Sequence, residues 1–249
     1  MLNFSGLSRD GIVGRIARLP LALIPRAAVV RIIQGPIKGS RWVVGAGTHG
    51  CWLGSYELSK QHRFTAELRP GWVIYDVGAN VGFYSLLAAR CVGPSGRVFA
   101  FEPVPENLAY LRRHVALNAL AQVTVYPIAV SDTCAHLRFT RGANRSTGHL
   151  DNSGDLEVKT VTLDNFVFGQ GNPPPQIMKV DVEGAEIRVL CGAQRILEIH
   201  RPLLFLATHG AVLHQKCCAW LRSAGYRLEG VSGEAMEDTD ELVCLPLRR

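Results

Sequence analysis

Residues 73–85 read VIYDVGANVGFYS, and this stretch predicts a buried strand, a glycine-rich turn and the start of a helix. Gly78 allows a tight turn, and Gly82 allows the strand, the helix and a ligand to approach closely. The glycine spacing is G-x-x-x-G rather than the G-x-G-x-x-G of dinucleotide sites, and Asp76 precedes the turn. A carboxylate there would repel a pyrophosphate and attract ammonium and sulfonium groups. The stretch therefore favours S-adenosylmethionine over a dinucleotide, although a plain strand–turn–helix with an exposed Asp76 stays open.

A second acid follows at the end of the next predicted strand. Residues 97–103 read RVFAFEP, which places Glu102 twenty positions after Gly82. A carboxylate at this strand end can accept hydrogen bonds from both hydroxyls of a ribose. Two acids at the ends of adjacent parallel strands, with a glycine turn between them, predict a ligand cleft at the carboxyl edge of the sheet.

The chain from residue 71 alternates apolar runs with helical stretches, which is typical of a parallel sheet covered by helices on both faces. Strands are predicted at 72–77, 97–102, 123–130, 177–182 and 203–208, and helices at 81–91, 105–119, 184–198 and 211–224. Segments 226–231 and 242–245 are predicted to close the sheet. Residues 131–162 are predicted to contain an inserted hairpin, with its strands at 136–139 and 156–161.

The first 60 residues have a different pattern and are predicted to be a basic N-terminal extension to a main domain at 61–249. Residues 8–34 have helical periodicity broken at Pro20 and Pro25, which predicts two or three short helices. Segments 41–44 and 51–53 are β-prone runs separated by glycines, which suggests a hairpin. We expect this extension to act as a lid on the cleft or to support homo-oligomerisation.

The charge and composition of the 249-residue chain exclude several classes of protein. The net charge is +6, of which residues 1–70 carry +7 and residues 71–249 carry −1, so a nucleic-acid partner is disfavoured for the main domain. The spread-out arginines of the first segment indicate a solvated helical face.

The apolar stretch at 19–25 is too short for a transmembrane segment, and it makes a poor secretory signal. The seven cysteines contain no C-x-x-C, and together these features predict a cytoplasmic protein.

Five motifs resemble, in order and spacing, those of the FkbM-type S-adenosylmethionine-dependent methyltransferases. They are DVGANVG at 76–82, FEP at 101–103, AVSD at 129–132, TLD at 162–164 and KVDVEGAE at 179–186. The resemblance covers about residues 52–230. It implies the class I methyltransferase fold, which is a doubly wound, Rossmann-like α/β fold whose mostly parallel seven-stranded sheet has an antiparallel last strand. It also implies methyl transfer to a hydroxyl, usually of a natural product, a sugar or another small molecule.

The resemblance further implies which residues contact the cofactor. Asp76, Gly78, Asn80 and Gly82 would line its methionine part, Glu102 of the Phe-Glu-Pro103 motif would bind the ribose, and Ala129 to Ser131 would lie near the adenine. Glu57, in a WLGSYE stretch that also occurs in the family, could meet the ammonium group of the cofactor. An equally good interpretation is that Glu57 caps a helix.

The catalytic hypothesis rests on the fourth and fifth strands of the predicted sheet. Alternation in Lys179-Val180-Asp181-Val182-Glu183 places the three charged side chains on one face, where Lys179 could form a structural ion pair with Asp181 or Glu183. Asp181 and Glu183 are predicted to lie beside the transferred methyl group and to orient or deprotonate the acceptor. His209, at the end of the fifth strand, is the predicted base, because an ordinary histidine pKa lies near 6.5.

Several alternatives stay open at this stage. The family commonly has a Glu two positions before this histidine, whereas this chain has Ala207. A partner-binding module that keeps the cofactor fold without turnover is therefore an alternative to the enzyme, and an NAD-dependent oxidoreductase is a weaker one. A metal is possible through Asp181, Glu183 and His209, but the types and spacing of these residues do not require one. Segments 1–60, 133–155 and 232–241 are predicted to form the pocket for a small-molecule acceptor.

Overall fold

The computed structural model describes residues 21, 23–140, 149–150, 154, 156–236 and 239–247. Of the short helices predicted over 8–34, the part at 8–20 lies outside these residues, as does part of the predicted acceptor segments. In the described part of the chain, no helix is both long enough and apolar enough to cross a membrane.

The N-terminal segment contains a small hairpin, but its strands differ from the predicted ones. The elements are β1 (Val29–Arg31), β2 (Arg41–Val43), α1 (His49–Leu53) and α2 (Leu58–Glu67). Strand β2 pairs with β1, not with 51–53, and the prediction that 51–53 is a strand was wrong. The residues from Cys51 to Leu53 bury their side chains as one short helix that ends at Gly54, whose φ of 79° is left-handed. Strand β1 also replaces a helix predicted within 8–34.

The remaining elements follow the predicted alternation of strands and helices. They are β3 (Val73–Val77), α3 (Phe83–Val92), β4 (Arg97–Phe101), α4 (Pro105–Leu117), β5 (Val123–Tyr126), β6 (Ala129–Val130), β7 (His136–Thr140), β8 (His149–Leu150), β9 (Leu156–Val161), a π-helical turn (Asn165–Gly169), β10 (Ile177–Val180), α5 (Glu186–Cys191), α6 (Gln194–Ile199), β11 (Leu203–Ala207), α7 (Ala211–Ser223), β12 (Tyr226–Gly230) and β13 (Glu241–Pro246).

The central sheet has the strand order β5-β4-β3-β10-β11-β13-β12. Strands β5, β4, β3, β10 and β11 are parallel, and the last strand of the chain, β13, lies antiparallel between β11 and β12. The predicted fold class, a mostly parallel seven-stranded sheet with an antiparallel last strand, is confirmed. The closing pair predicted at 226–231 and 242–245 is also confirmed.

Two predicted elements are divided in the structure. The strand predicted over 123–130 ends at Tyr126, and Ala129–Val130 joins a second sheet of order β6-β9-β7-β8 instead. The inserted hairpin is part of that second sheet, since β7 and β9 pair antiparallel as predicted. The helix predicted over 184–198 is two helices, α5 and α6, separated at Gly192. A side chain at Gly192 would collide with the carbonyl oxygen of Ser131, because a Cβ atom built there lies 2.0 Å from that oxygen.

Alternation along the central strands divides the core between the two faces of the sheet. Ile74 and Ile177 belong to one buried cluster, and Tyr75 and Met178 belong to the other. Asp76 lies two residues after Ile74, and Lys179 lies two residues after Ile177. Asp76 on β3 and Lys179 on β10 are paired across the two strands and share a face of the sheet. Charged residues are thus buried in the middle of the sheet, at the point where the functional site begins.

The N-terminal hairpin is attached to the main domain through a buried histidine. The His114 ring stacks on Trp42 with 3.8 Å between centroids. Its Nε2 accepts a hydrogen bond from the Val43 N–H at 3.1 Å, and its Nδ1 lies 2.8 Å from the Val81 carbonyl oxygen. Only the neutral ring with hydrogen on Nδ1 satisfies both neighbours. Burial accordingly lowers the pKa of His114 to about 4.

This histidine makes stability depend on pH. Its folded-state pKa lies below the ordinary value of 6.5, so its contribution is complete above about pH 6.5 and is lost as the pH falls towards 4. We expect the difference in unfolding free energy between the wild type and His114→Gln to shrink by about 3 kcal/mol between pH 7 and pH 4, measured by urea denaturation. The matched control is His62→Gln at an exposed histidine. A difference for His114→Gln that does not change with pH would contradict this interpretation.

Candidate functional site

A cavity lies where the strand order of the central sheet reverses. From β3 the chain proceeds outward through β4 and β5, and from β10 it proceeds the other way to β11. Open α/β sheets bind ligands in the crevice at the carboxyl ends of the strands at such a point. The cavity is lined by the turn after β3, the end of β4, the loop after β10, part of the second sheet, and residues 47–56 of the N-terminal segment.

The turn after β3 is held against the end of β10. Gly78 has a φ of 74°, and its N–H donates to the Phe101 carbonyl at 3.0 Å. A Cβ atom on Gly78 would lie 1.8 Å from the carbonyl oxygen of Asp181, so only glycine allows the two segments to approach this closely. Asn80 is also left-handed, with a φ of 50°, and its Oδ1 accepts from the Val81 N–H at 2.7 Å. Gly78 and Asn80 therefore determine the shape of the cavity wall at the turn after β3.

Glu102 lies at the end of β4 with its carboxylate fixed in place. Its Oε2 accepts a hydrogen bond from the Asn80 N–H at 2.8 Å. Its Oε1 accepts hydrogen bonds from the Val104 N–H at 2.8 Å and from the Asn107 amide at 3.4 Å. Burial raises the pKa of Glu102 above its ordinary value, although the hydrogen bonds from Val104 and Asn80 act in the opposite direction. Because Oε2 accepts only one of these hydrogen bonds, Glu102 can still accept a hydrogen bond from a ligand in the cavity.

Lys179 contacts both Asp76 and Asp181 at the point where the strand order of the central sheet reverses. Its Nζ lies 3.2 Å from Asp181 Oδ2 and 3.6 Å from Asp76 Oδ1, and it donates to the Gly78 carbonyl at 3.0 Å. Burial alone would lower the pKa of Lys179, but Asp181 and Asp76 outweigh burial and raise it. Of the two partners predicted for Lys179, Asp181 and Glu183, it is Asp181 that forms the ion pair. Asp76 has the Ser85 hydroxyl as a second partner, at 2.6 Å.

A second buried lysine extends this network into the N-terminal half of the chain. Lys60 on α2 pairs with Glu241 on β13 at 2.7 Å and with Glu57 at 3.5 Å. The Tyr84 hydroxyl donates to Glu57 at 2.8 Å, and the Tyr84 ring lies beside both lysines. Glu57 occupies the N-cap position of α2, but its side chain makes no capping hydrogen bond.

His209, just after β11, points at the loop that follows β10. Its Nδ1 lies 2.7 Å from Glu186 Oε1, and its Nε2 lies 3.4 Å from Glu183 Oε2 and 3.8 Å from Asp181 Oδ1. The hydrogen bond to Glu186 raises the pKa of His209 to about 9, against the effect of burial. The assumption of an ordinary histidine pKa was therefore wrong, and the ring carries a proton at neutral pH in this arrangement.

The two acids beside His209 respond to their surroundings in opposite ways. Burial raises the pKa of Glu183, more than the neighbouring His209 lowers it. Burial also acts to raise the pKa of Asp181, but Lys179, Lys60 and His209 outweigh it and lower the pKa. Asp181 is therefore the more strongly acidic of the two carboxyl groups.

The structure places part of the predicted site on the cavity wall and part behind it. The predicted residues that line the cavity are Gly78, Asn80, Glu102, Pro103, Ala129, Asp181 and Glu183. The predicted residues outside this lining are Glu57, Asp76, Gly82, Ser131 and His209. Asp76 and Glu57 contact Lys179 and Lys60, respectively, and His209 contacts Glu183. Gly82 packs on Leu111, and the hydroxyl of Ser131 donates to Asp132.

Several residues of the cavity wall were predicted only as parts of longer segments. Thr48, Cys51 and Tyr56 belong to the predicted acceptor segment 1–60, and Phe139 belongs to the predicted segment 133–155. The WLGSYE stretch was a signal for Tyr56, which directly precedes Glu57. Phe139 had no signal of its own, because its position depends on how the second sheet packs.

Comparison with known proteins agrees with this geometry. A family profile described as "Methyltransferase FkbM domain" matches residues 76–228, which is more than half of the chain. The protein named 31-O-demethyl-FK506 methyltransferase FkbM, from Streptomyces tacrolimicus, is 29% identical over 53% of this chain and 63% of its own length. Hexuronic acid methyltransferase AglP from Haloferax volcanii is 31% identical over 51% of this chain and 52% of its own length. The chain thus spans less than two thirds of the length of these relatives.

A solved structure supports the fold. The crystal structure of methyltransferase FkbM from Methylobacillus flagellatus KT superimposes with a TM-score of 0.51, covering 80% of this chain and 55% of that one at 18% identity. At this identity the similarity concerns the fold alone.

Proposed function

Since the chain belongs to the methyltransferase FkbM domain family, we propose that it is an S-adenosylmethionine-dependent O-methyltransferase acting on a hydroxyl group of a small molecule. The single observation that carries this proposal is the cavity at the strand reversal, which the Gly78 turn, Glu102 and Asp181 line together. The cofactor would supply an electrophilic methyl group on a sulfonium. The chain must then bind the nucleoside, orient the acceptor and accept its proton.

The residues on the cavity wall fit such a cofactor. The fixed carboxylate of Glu102 can accept hydrogen bonds from the ribose hydroxyls. Apolar side chains beside it, among them Phe101, Val130 and Phe139, suit an adenine ring. For the methionine part, we propose that Gly78 and Asn80 line the cofactor directly and that Asp76 supports this wall through Lys179.

The acceptor would lie at the end of the cavity formed by Asp181 and Glu183. Both side chains are about a quarter exposed, so they can receive a ligand hydroxyl. Aligning the hydroxyl oxygen in line with the methyl group supplies much of the rate acceleration, and a carboxylate need remove the proton only late. His209 contacts Glu183 and is proposed to hold it in position. The buried Lys179 does the same for Asp181.

The named relatives support oxygen as the acceptor atom. The name of the Streptomyces relative specifies a 31-O-demethyl compound, and that of the Haloferax relative specifies a hexuronic acid. Both kinds of acceptor carry hydroxyl groups. The acceptor proposed for this chain is therefore a hydroxylated natural product or sugar.

The proposal is tested by incubating the purified chain with methyl-labelled S-adenosylmethionine and a panel of uronic acids, other sugars and hydroxylated natural products. We expect label to enter at least one acceptor as an ether that is stable to alkali, and S-adenosylhomocysteine to bind to the free protein. Binding without any labelled product would indicate a cofactor-binding partner module. Absence of binding would refute the proposal.

Glu102 provides a test of the cofactor site itself. The Glu102→Gln substitution keeps the size of the side chain but removes the charge that strengthens its hydrogen bonds to a ribose, which are worth about 1.5–3 kcal/mol. We expect S-adenosylhomocysteine to bind about 10- to 100-fold more weakly, measured by isothermal titration calorimetry. The control is Glu106→Gln, four residues on and exposed on α4. Equal affinities for the wild type and Glu102→Gln would exclude Glu102 from the cofactor site.

A further inference from the structure

Two side chains of the loop after β10 and one side chain that follows β11 converge beside the acceptor end of the cavity. One possible ligand atom from each of Asp181, Glu183 and His209 lies within 4.8 Å of the other two. His209 Nε2 is 3.4 Å from Glu183 Oε2 and 3.8 Å from Asp181 Oδ1. Ligands of one metal ion at bonds of about 2.0–2.2 Å are separated by about 3–3.6 Å, so small side-chain movements would complete a coordination shell. We propose that these three residues bind a divalent transition-metal ion.

The orientation of His209 is the one that a metal ligand requires. Histidine ligands in proteins usually hydrogen-bond their second ring nitrogen to a carboxylate or carbonyl, which directs the first nitrogen at the ion. Here Glu186, which is fully buried, lies 2.7 Å from Nδ1 and leaves Nε2 aimed at the two acids. The same Glu186 oxygen accepts from the Gly184 N–H at 2.9 Å, so it also fixes the loop that carries Glu183.

A buried carboxylate oxygen without a partner is a second, independent indication of a cation. Glu186 is fully buried, and its Oε2 has no hydrogen-bond partner among the described residues. An unpaired charge is costly in such a setting. The Glu186 carboxylate lies beside His209, which in turn lies next to the carboxylates of Asp181 and Glu183.

The donor set indicates the class of ion. One imidazole with two carboxylates suits Mn²⁺, Fe²⁺ or Zn²⁺ better than Ca²⁺ or Mg²⁺, which prefer oxygen ligands alone. Three protein ligands leave coordination positions for water or for an acceptor hydroxyl, whose pKa the ion would lower. That role in acceptor activation rests on the proposed function, whereas binding of the ion does not.

The test is a titration of the full chain with Mn²⁺ after treatment with EDTA and dialysis, followed by electron paramagnetic resonance. We expect one Mn²⁺ to bind per chain, and Glu183→Gln or His209→Ala to weaken binding at least about tenfold. Glu186→Gln removes no ligand but should weaken binding by about 10- to 100-fold. The matched control is Glu241→Gln, which removes a carboxylate of the neighbouring Lys60 pair and should leave Mn²⁺ affinity within about twofold.

Two results would overturn the metal site. One is the failure of the wild type to bind either Mn²⁺ or Zn²⁺ at about 1 mM. The other is an equal loss of affinity in Glu241→Gln and Glu183→Gln, which would show attraction to diffuse negative charge. If a variant does not fold, broadening of the His209 imidazole NMR signals by Mn²⁺ in the wild type decides the question. Binding of S-adenosylhomocysteine to the EDTA-treated protein separates failure of this inference from failure of the proposed function.

Discussion

Replacing Lys179 with methionine is expected to lower the free energy of unfolding by about 3–5 kcal/mol. Asp76 and Lys179 are only 1% and 3% exposed, and the lysine is also paired with Asp181. Methionine has a similar length but no charge, so it leaves a buried carboxylate without its cation. Urea denaturation monitored by circular dichroism measures the loss, and Lys216→Met, at an exposed lysine on α7, is the control.

A double substitution separates charge from packing. In Asp76→Asn/Lys179→Met the buried carboxylate is gone together with its partner, so we expect it to recover part of the stability lost in Lys179→Met. A loss below about 1 kcal/mol in Lys179→Met would show that Asp76 does not depend on this lysine. A double variant less stable than Lys179→Met would show that packing, rather than charge, accounts for the effect.

The sequence predicts the central sheet well because its signals are local. Apolar runs, the glycine spacing at Gly78 and Gly82, and the alternation from Lys179 to Glu183 each depend on residues close together in the chain. That alternation predicts that Lys179 pairs with Asp181 or Glu183, and the structure shows that the partner is Asp181.

The errors arise where distant parts of the chain decide the outcome. The β-prone Cys51-Trp52-Leu53 run forms a helix because all three side chains are buried together in the N-terminal part of the core. Strand 123–130 is split because its last two residues pair with β9, some thirty positions away. Such pairings leave no periodic signal in the strand itself.

The candidate site shows the same division between local and distant information. The position of His209 at a strand end could be predicted, but its pKa could not, because Glu186 lies 23 positions earlier in the chain. The Lys60 to Glu241 pair joins residues 181 positions apart. Asp76 was correctly placed at the end of its strand, but its pairing with Lys179 joins two strands that are far apart in the chain.

The Gly78→Ala substitution is expected to lower the free energy of unfolding by about 3–5 kcal/mol and to weaken binding of S-adenosylhomocysteine more than about tenfold. Two separate effects combine at this position. An alanine at a φ of 74° costs about 1–2 kcal/mol by itself. Its Cβ would also lie 1.8 Å from the Asp181 carbonyl oxygen, which is backbone and cannot rotate away. The turn after β3 must therefore separate from the end of β10, and this widens the cavity where the proposed cofactor and acceptor meet.

Gly171 supplies a control that isolates the steric effect from the backbone strain. Its φ is 73°, almost the same as that of Gly78, but a Cβ atom there has no heavy atom within 4 Å among the described residues. Gly171→Ala should therefore lower the free energy of unfolding by only about 1–2 kcal/mol and should leave the binding of S-adenosylhomocysteine unchanged. The two variants are compared by urea denaturation and by isothermal titration calorimetry. Equal losses in both variants would mean that the contact between the turn and Asp181 adds nothing to the strain of the left-handed backbone. In that case the close approach of these two segments would not be what shapes the site.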